Sequence, residues 1–175
     1  MNHLKKIRIL CISFLLFFTL NAWAIEEIRY QDWAVQLGVD TAEAYVSNKD
    51  NTSFGFFCKE EKCVYYLNLN LNCPTSTKNP VLMSGGEISA AFMMTCANLG
   101  GRTFQIFDDP EIVNKAVKSS KAIGFSMALP GGAFIVSQFS LNNAQAAIER
   151  VIYEAKQRKE QPQGQGLGGK GLIKI

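Results

Sequence analysis

Residues 63–73 read Cys63-Val64-Tyr65-Tyr66-Leu67-Asn68-Leu69-Asn70-Leu71-Asn72-Cys73, and this stretch decides the fold class. Its period is two. Cys63, Tyr65, Leu67, Leu69, Leu71 and Cys73 share one face, while Val64, Tyr66, Asn68, Asn70 and Asn72 share the other. Side chains on one face of a helix recur every three or four residues, so this order suits only a strand with one buried side. The apolar row predicts the core face. The asparagine row reads first as a solvated sheet face and second as a binding surface.

Working outward, residues 54–58 form a second apolar segment, separated from Cys63 by the polar run Lys59-Glu60-Glu61-Lys62. Two strands joined by four polar residues make a common hairpin. Upstream, residues 26–37 read as a first strand carrying Trp33, residues 41–46 as a second, and Asn48-Lys49-Asp50-Asn51 as a turn. Downstream, residues 74–80 read as a loop and 81–83 as a short strand. Ile88, Ala90, Phe92, Met94 and Cys96 then alternate again, and residues 103–107 return as a further strand. Residues 123–129 and 133–139 continue the pattern around Pro130-Gly131-Gly132.

Two segments change period. Asp108-Asp109-Pro110-Glu111 opens a helix, with an acidic cap, a proline whose missing N–H is not needed there, and acid near the positive helix end. A last helix, capped by Asn142 or Asn143, carries the stripe Ala144, Ala147, Ile148, Val151, Ile152 and Ala155. The expected architecture is mainly β (α+β): a single antiparallel β-sandwich or partly open barrel of about seven to nine strands, with one short and one C-terminal helix.

Cys58, Cys63, Cys73 and Cys96 allow three pairings. Cys58–Cys63 across the hairpin and Cys73–Cys96 between the two alternating segments are favoured. A four-cysteine metal site is the rival, but spacers of 4, 9 and 22 residues lack the close CxxC knuckles of zinc sites. No metal or cofactor is expected. The single histidine is His3, so beyond the N-terminal segment there is no Ser-His-Asp or Cys-His catalysis and no histidine proton carrier. The acid pairs Glu26/Glu27, Glu60/Glu61 and Asp108/Asp109 have plainer accounts as a strand start, a hairpin tip and a helix cap. Gly85-Gly86, Gly100-Gly101 and Gly131-Gly132 read as turns, since none feeds a helix N-terminus.

The N-terminus sets the compartment. Lys5, Lys6 and Arg8 precede an apolar run at residues 9–20, and Ala22-Trp23-Ala24 supplies the small residues of a cleavage site. Residues 1–24 are therefore read as a cleaved signal peptide. The run is short of the ~20 residues that span a bilayer. Three of the 18 basic residues lie in that segment and none of the 15 acids does, so the remainder is formally neutral rather than +3. No nucleic-acid partner follows from charge, and no stable membrane span is expected after cleavage. Residues 25–159 read as one β-rich domain and residues 160–175 as a flexible Gly/Gln-rich tail.

Asp32-Trp33-Ala34-Val35, a central cysteine at Phe92-Met93-Met94-Thr95-Cys96, and the strand-into-helix ending Ser140-Leu141-Asn142-Asn143-Ala144 occur in this order. In this the chain resembles the invasion-associated locus B family of exported bacterial proteins. That family tends to carry a cysteine just after the tryptophan motif, where this chain has Gln36-Leu37-Gly38, and another soon after the central one. The resemblance implies a non-enzymatic, disulfide-bonded, β-rich periplasmic protein, linked in some bacteria to host-cell invasion. The function expected is a non-catalytic, periplasmic or secreted envelope protein acting through a protein partner. The alternatives are a carboxylate-based hydrolase of envelope glycans, which needs two carboxyls across one cleft, and a small-ligand carrier, which needs an apolar cavity.

Overall fold

The computed structural model describes residues 26–60, 62–99 and 102–160. The expected signal segment, the Gly100-Gly101 turn and the tail beyond Glu160 lie outside the described residues. Among the described residues, ten strands form one antiparallel sheet: β1 Glu26–Tyr30, β2 Trp33–Leu37, β3 Thr41–Ser47, β4 Ser53–Lys59, β5 Lys62–Asn68, β6 Lys78–Gly85, β7 Ile88–Leu99, β8 Arg102–Phe107, β9 Ala122–Ala128 and β10 Phe134–Ser140. Two helices accompany them, α1 Pro110–Ser119 and α2 Ala144–Glu160. The strand order is β1-β2-β3-β4-β5-β8-β7-β6-β9-β10. The sheet curls into a half barrel, so the partly open barrel is the form adopted.

The alternating stretch behaves as its period requires. Cys63, Tyr65 and Leu67 face the core in β5, paired with Cys58, Phe56 and Phe54 of β4. The strand ends at Asn68, earlier than the alternation suggests. The Asn68 side chain accepts from the Asn70 N–H at 2.9 Å, and Asn70 takes a positive φ of 55°. Asparagine side chains that bond nearby backbone compete with the ladder, which turns the chain. Residues 26–37 are likewise two strands, because Gln31 takes a φ of 52° and folds them into a hairpin. The short strand expected at 81–83 runs over all of β6, and the strand count is ten.

Phe54 centres the core. Its ring lies 5.3–6.1 Å from those of Trp33, Tyr65, Phe107, Phe125 and Phe139, which come from β2, β5, β8, β9 and β10. Aromatic contacts from both ends of the strand order thus meet on one residue. Polar contacts draw the ends together as well: Trp33 Nε1 donates to the Ser140 carbonyl at 2.9 Å, and Thr52 Oγ1 bonds Ser137 Oγ at 3.2 Å. The Asp32 carboxylate accepts from Ser140 Oγ and from Asn142 Nδ2.

The helices cover the concave side. Asp109 caps α1, accepting from Glu111 N–H, Pro110 opens it, and Val113, Ala116 and Val117 are buried. The stripe Ala144, Ala147, Ile148, Val151 and Ala155 of α2 is buried against β2–β4. Cys58 bonds Cys63 at the end of the β4–β5 hairpin, and Cys73 bonds Cys96, tying the loop after β5 to β7. Amides flank the second bond: Asn79 Nδ2 lies 3.3 Å from Cys96 Sγ and Gln105 Nε2 lies 3.6 Å from Cys73 Sγ. Among the described residues, no helix is long and apolar enough to cross a membrane.

Candidate functional site

The asparagine row of the alternating stretch does not lie on a flat solvated face. With outward side chains of β3, β4 and β8 it bounds a groove of about 730 Å³. Glu43, Tyr45 and Ser47 come from β3, Ser53 from β4, and Tyr66 and Asn68 from β5. Arg102, Thr103 and Phe104 of β8 close the other wall, and Asn51, Asn70 and Asn72 come from the flanking turns. Apart from Thr103, which borders the groove from the other side of β8, these strand residues lie on the face opposite the core, as their alternation dictates.

The floor of the groove depends on Gly55. In register it stands between Tyr45 and Tyr66, on the same outer face. A Cβ at this position would meet Tyr66 Cζ and Oη at 2.6 Å and the Ala44 carbonyl oxygen at 2.7 Å. With no side chain at 55, the Tyr66 ring lies flat across β4 and reaches β3. There its hydroxyl donates a short hydrogen bond to Glu43 Oε1. Phe104 packs edge-on against the same ring at 5.1 Å. Tyr66 is only 3% exposed, so this member of the polar row is a buried, fixed element of the site.

Burial pushes the Glu43 carboxyl above the usual glutamate range, against the Tyr66 hydrogen bond and the Arg102 charge, which favour ionisation. The Tyr66 hydroxyl is driven well above its ordinary value, first by burial and then by the Glu43 charge. It therefore stays a donor. Beside this pair, Gln36 Nε2 donates to Tyr45 Oη at 3.0 Å and to Glu27 Oε2 at 3.2 Å, and Tyr45 Oη donates to Glu27 Oε2 at 3.1 Å. The Gln36 and Tyr45 hydrogen bonds hold the Glu27 carboxyl below its usual range. Two tyrosine–glutamate pairs thus lie side by side across β1–β5, with side-chain positions set by hydrogen bonds and packing.

Of the acids, Glu43 lines the groove. Of the pairs noted in the sequence, Glu27 reaches its edge, where it accepts from the lining residues Gln36 and Tyr45. Glu60 is in the hairpin turn, Asp108 binds Lys78 at 2.6 Å and Thr95 at 2.7 Å, and Asp109 caps α1. The concave side, where a carrier would hold its ligand, contains the Phe54 ring cluster. Trp33, Phe54, Phe56 and Tyr65 are buried in that core, whereas Tyr66 lines the groove. Sequence reasoning passed over Glu43, Gln36 and Arg102. The usable signal was Gly55, a glycine inside a strand, which marks a bulge or a close approach.

Comparison with protein-family models and with curated protein sequences gives no match. Comparison with solved structures finds the crystal structure of invasion associated protein B from Bartonella henselae, with a TM-score of 0.53 and 16% sequence identity. The match covers 75% of this chain and 99% of that one. At this identity the likeness is one of fold alone.

Proposed function

We propose that the chain is an exported, non-catalytic protein of the cell envelope that works by contacting other proteins through the polar groove. The observation that carries this reading is the groove's chemistry: half-buried Tyr45 among Ser47, Ser53, Asn68 and Asn70, over a floor fixed by buried Tyr66 and mounted on a disulfide-stapled sheet. Tyrosine offers a large amphipathic contact at low entropic loss, and serine and asparagine offer adaptable hydrogen bonds, which is how paratopes recognise proteins. Export is supported by the signal-like N-terminus and by two disulfides, which persist in oxidising compartments. The likeness in fold to an invasion associated protein supports a host-interaction role for this contact.

A photo-crosslinking residue at exposed Asn70, compared with one at exposed Lys118 on α1, tests it in the producing organism and on host cells. Discrete adducts from Asn70 in the periplasmic or secreted fraction, absent from Lys118 and reduced by Tyr66→Phe with Glu43→Gln, are expected. Equal labelling from both positions overturns the groove as the contact. Accumulation of the protein in the cytosol overturns export.

A further inference from the structure

The outer face of the opposite half of the sheet carries an uncharged, largely apolar patch, and among the described residues it ends at an uncovered edge. β10 closes the strand order, and its outward side chains Phe134 and Val136 are 64% and 69% exposed. The register carries this face across three more strands. Val136 lies opposite Ser126, Ser126 opposite Leu82, and Leu82 opposite Ala91. One step along, Phe134 lies opposite Ala128 and Pro80 opposite Met93. Leu82 is 57% and Met93 39% exposed, and none of these residues is charged. Gly124 and Ser126 leave a trough of about 680 Å³ between Leu82 and Val136.

Among the described residues, the backbone is open at the same place. Leu129 N–H donates to Ala133 O, and Leu141 N–H donates to Lys121 O. In an antiparallel strand this directs the polar groups of residues 133, 135, 137, 139 and 141 toward β9, and those of 134, 136, 138 and 140 to the free side. Trp33 covers the Ser140 carbonyl and Thr52 bonds Ser137, so sheet closure shields that end of β10 and leaves the Phe134 end open. The far edge, β1, reads Glu-Glu-Ile-Arg-Tyr and carries the charges that ordinarily deter strand addition. β10 reads Phe-Ile-Val-Ser-Gln-Phe-Ser and carries none.

We infer that the Phe134 end of β10 is a self-association edge, occupied by the same strand of a second copy of this chain, with Phe134 of each copy opposite Val136 of the other. Charge selects this occupant. A two-fold contact sets a patch against itself, so any charge there would meet its like, and this patch has none. Addition to the β1 edge would instead set Glu27 and Arg29 beside Phe134 and Val136, in a head-to-tail contact that need not close. In the two-fold register Phe134 and Val136 exchange both backbone bonds through their free-side groups. Their side chains form an aromatic–β-branched pair, and each Phe134 ring stands beside the other copy's trough. The ladder is short, so the association is expected to be weak. A dissociation constant on the order of 10–100 µM is the expectation tested below.

Sedimentation equilibrium of the exported, oxidised chain from about 1 to 500 µM brackets that range. The mass should rise from monomer to dimer. Val136→Lys, at an exposed position outside the core, should weaken association at least about tenfold. The double variant Phe134→Glu with Val136→Lys sets opposite charges across the register and should recover association that then falls with salt. A monomer at every concentration overturns the inference and leaves the face to a different chain. A dimer indifferent to Val136→Lys overturns the edge, and failure of the double variant to recover it overturns the register.

Discussion

Replacing Gly55 by alanine tests the groove at the residue that makes room for it. The added methyl would stand 2.6 Å from the Tyr66 ring end and 2.7 Å from the Ala44 carbonyl oxygen. The ring can swing aside, but the carbonyl belongs to the β3 backbone and cannot. Displacing Tyr66 breaks its bond to Glu43, and a hydrogen bond to a charged group contributes about 1.5–3 kcal/mol. Crowding against backbone adds about 1–3 kcal/mol. The more restricted unfolded chain offsets about 0.4–1 kcal/mol. The net expectation is a loss of roughly 2–5 kcal/mol, or about 6–20 °C in Tm at roughly 3–4 °C per kcal/mol for a domain of this size. The assay is thermal and urea unfolding of the oxidised protein, wild type against Gly55→Ala, each also carrying Tyr66→Phe. Tyr66→Phe removes the bond and keeps the ring, so in that background Gly55→Ala should show the crowding share alone. Stability within about 0.5 kcal/mol of wild type, the range of an indifferent surface change, would refute the reasoning.

Burial raises the Glu43 carboxyl above its ordinary 4.5. Between 4.5 and the raised value the folded protein holds a proton the unfolded chain has released, so stability falls as pH rises through that window. The difference in unfolding free energy between wild type and Glu43→Gln should therefore decline across that window and be flat above it; a rise with pH contradicts the account. Phe54→Ala removes the ring on which five others meet and should cost about 3–5 kcal/mol by urea unfolding. Replacing Cys73 and Cys96 by serine should cost about 3 kcal/mol and replacing Cys58 and Cys63 about 2 kcal/mol, because the first pair closes 23 residues and the second 5. Denaturation midpoints in the reverse order would show that native-state contacts, not loop closure, set the ranking. Gln105 is buried with Oε1 unpartnered among the described residues, so Gln105→Leu should leave stability unchanged or raise it by about 1 kcal/mol, read from the same midpoints.

The strand-rich fold was legible wherever one face meets the core, because a period of two survives only if every second side chain is buried. Residues 63–67 show this, as does the row Ile123, Phe125 and Met127 of β9. The start of α1 was legible for a different reason. Its cap is a contact within three residues, Asp109 to Glu111, which needs no tertiary partner. Strand ends were less legible. Asn68 turns the chain through its own side chain while Leu69 remains buried, so apolar alternation outruns the ladder by several residues. The hairpin inside residues 26–37 depends on a positive φ at Gln31, which residue type does not announce.

By itself the sequence determined which faces are apolar, where the periods change and the absence of histidine chemistry beyond His3, all of which are local properties of residue order. Only the tertiary structure decided that β5 pairs with β8 and β6 with β9, and so which outer side chains become neighbours. Glu43 and Tyr66 are 23 residues apart and meet because Gly55, on the strand between them, has no side chain to separate them. Phe134, Leu82 and Met93 share an exposed face for the same reason. Strand order converts distant positions into contacts, and that order is set by which arrangement buries the Phe54 cluster, a global packing problem that no local pattern encodes.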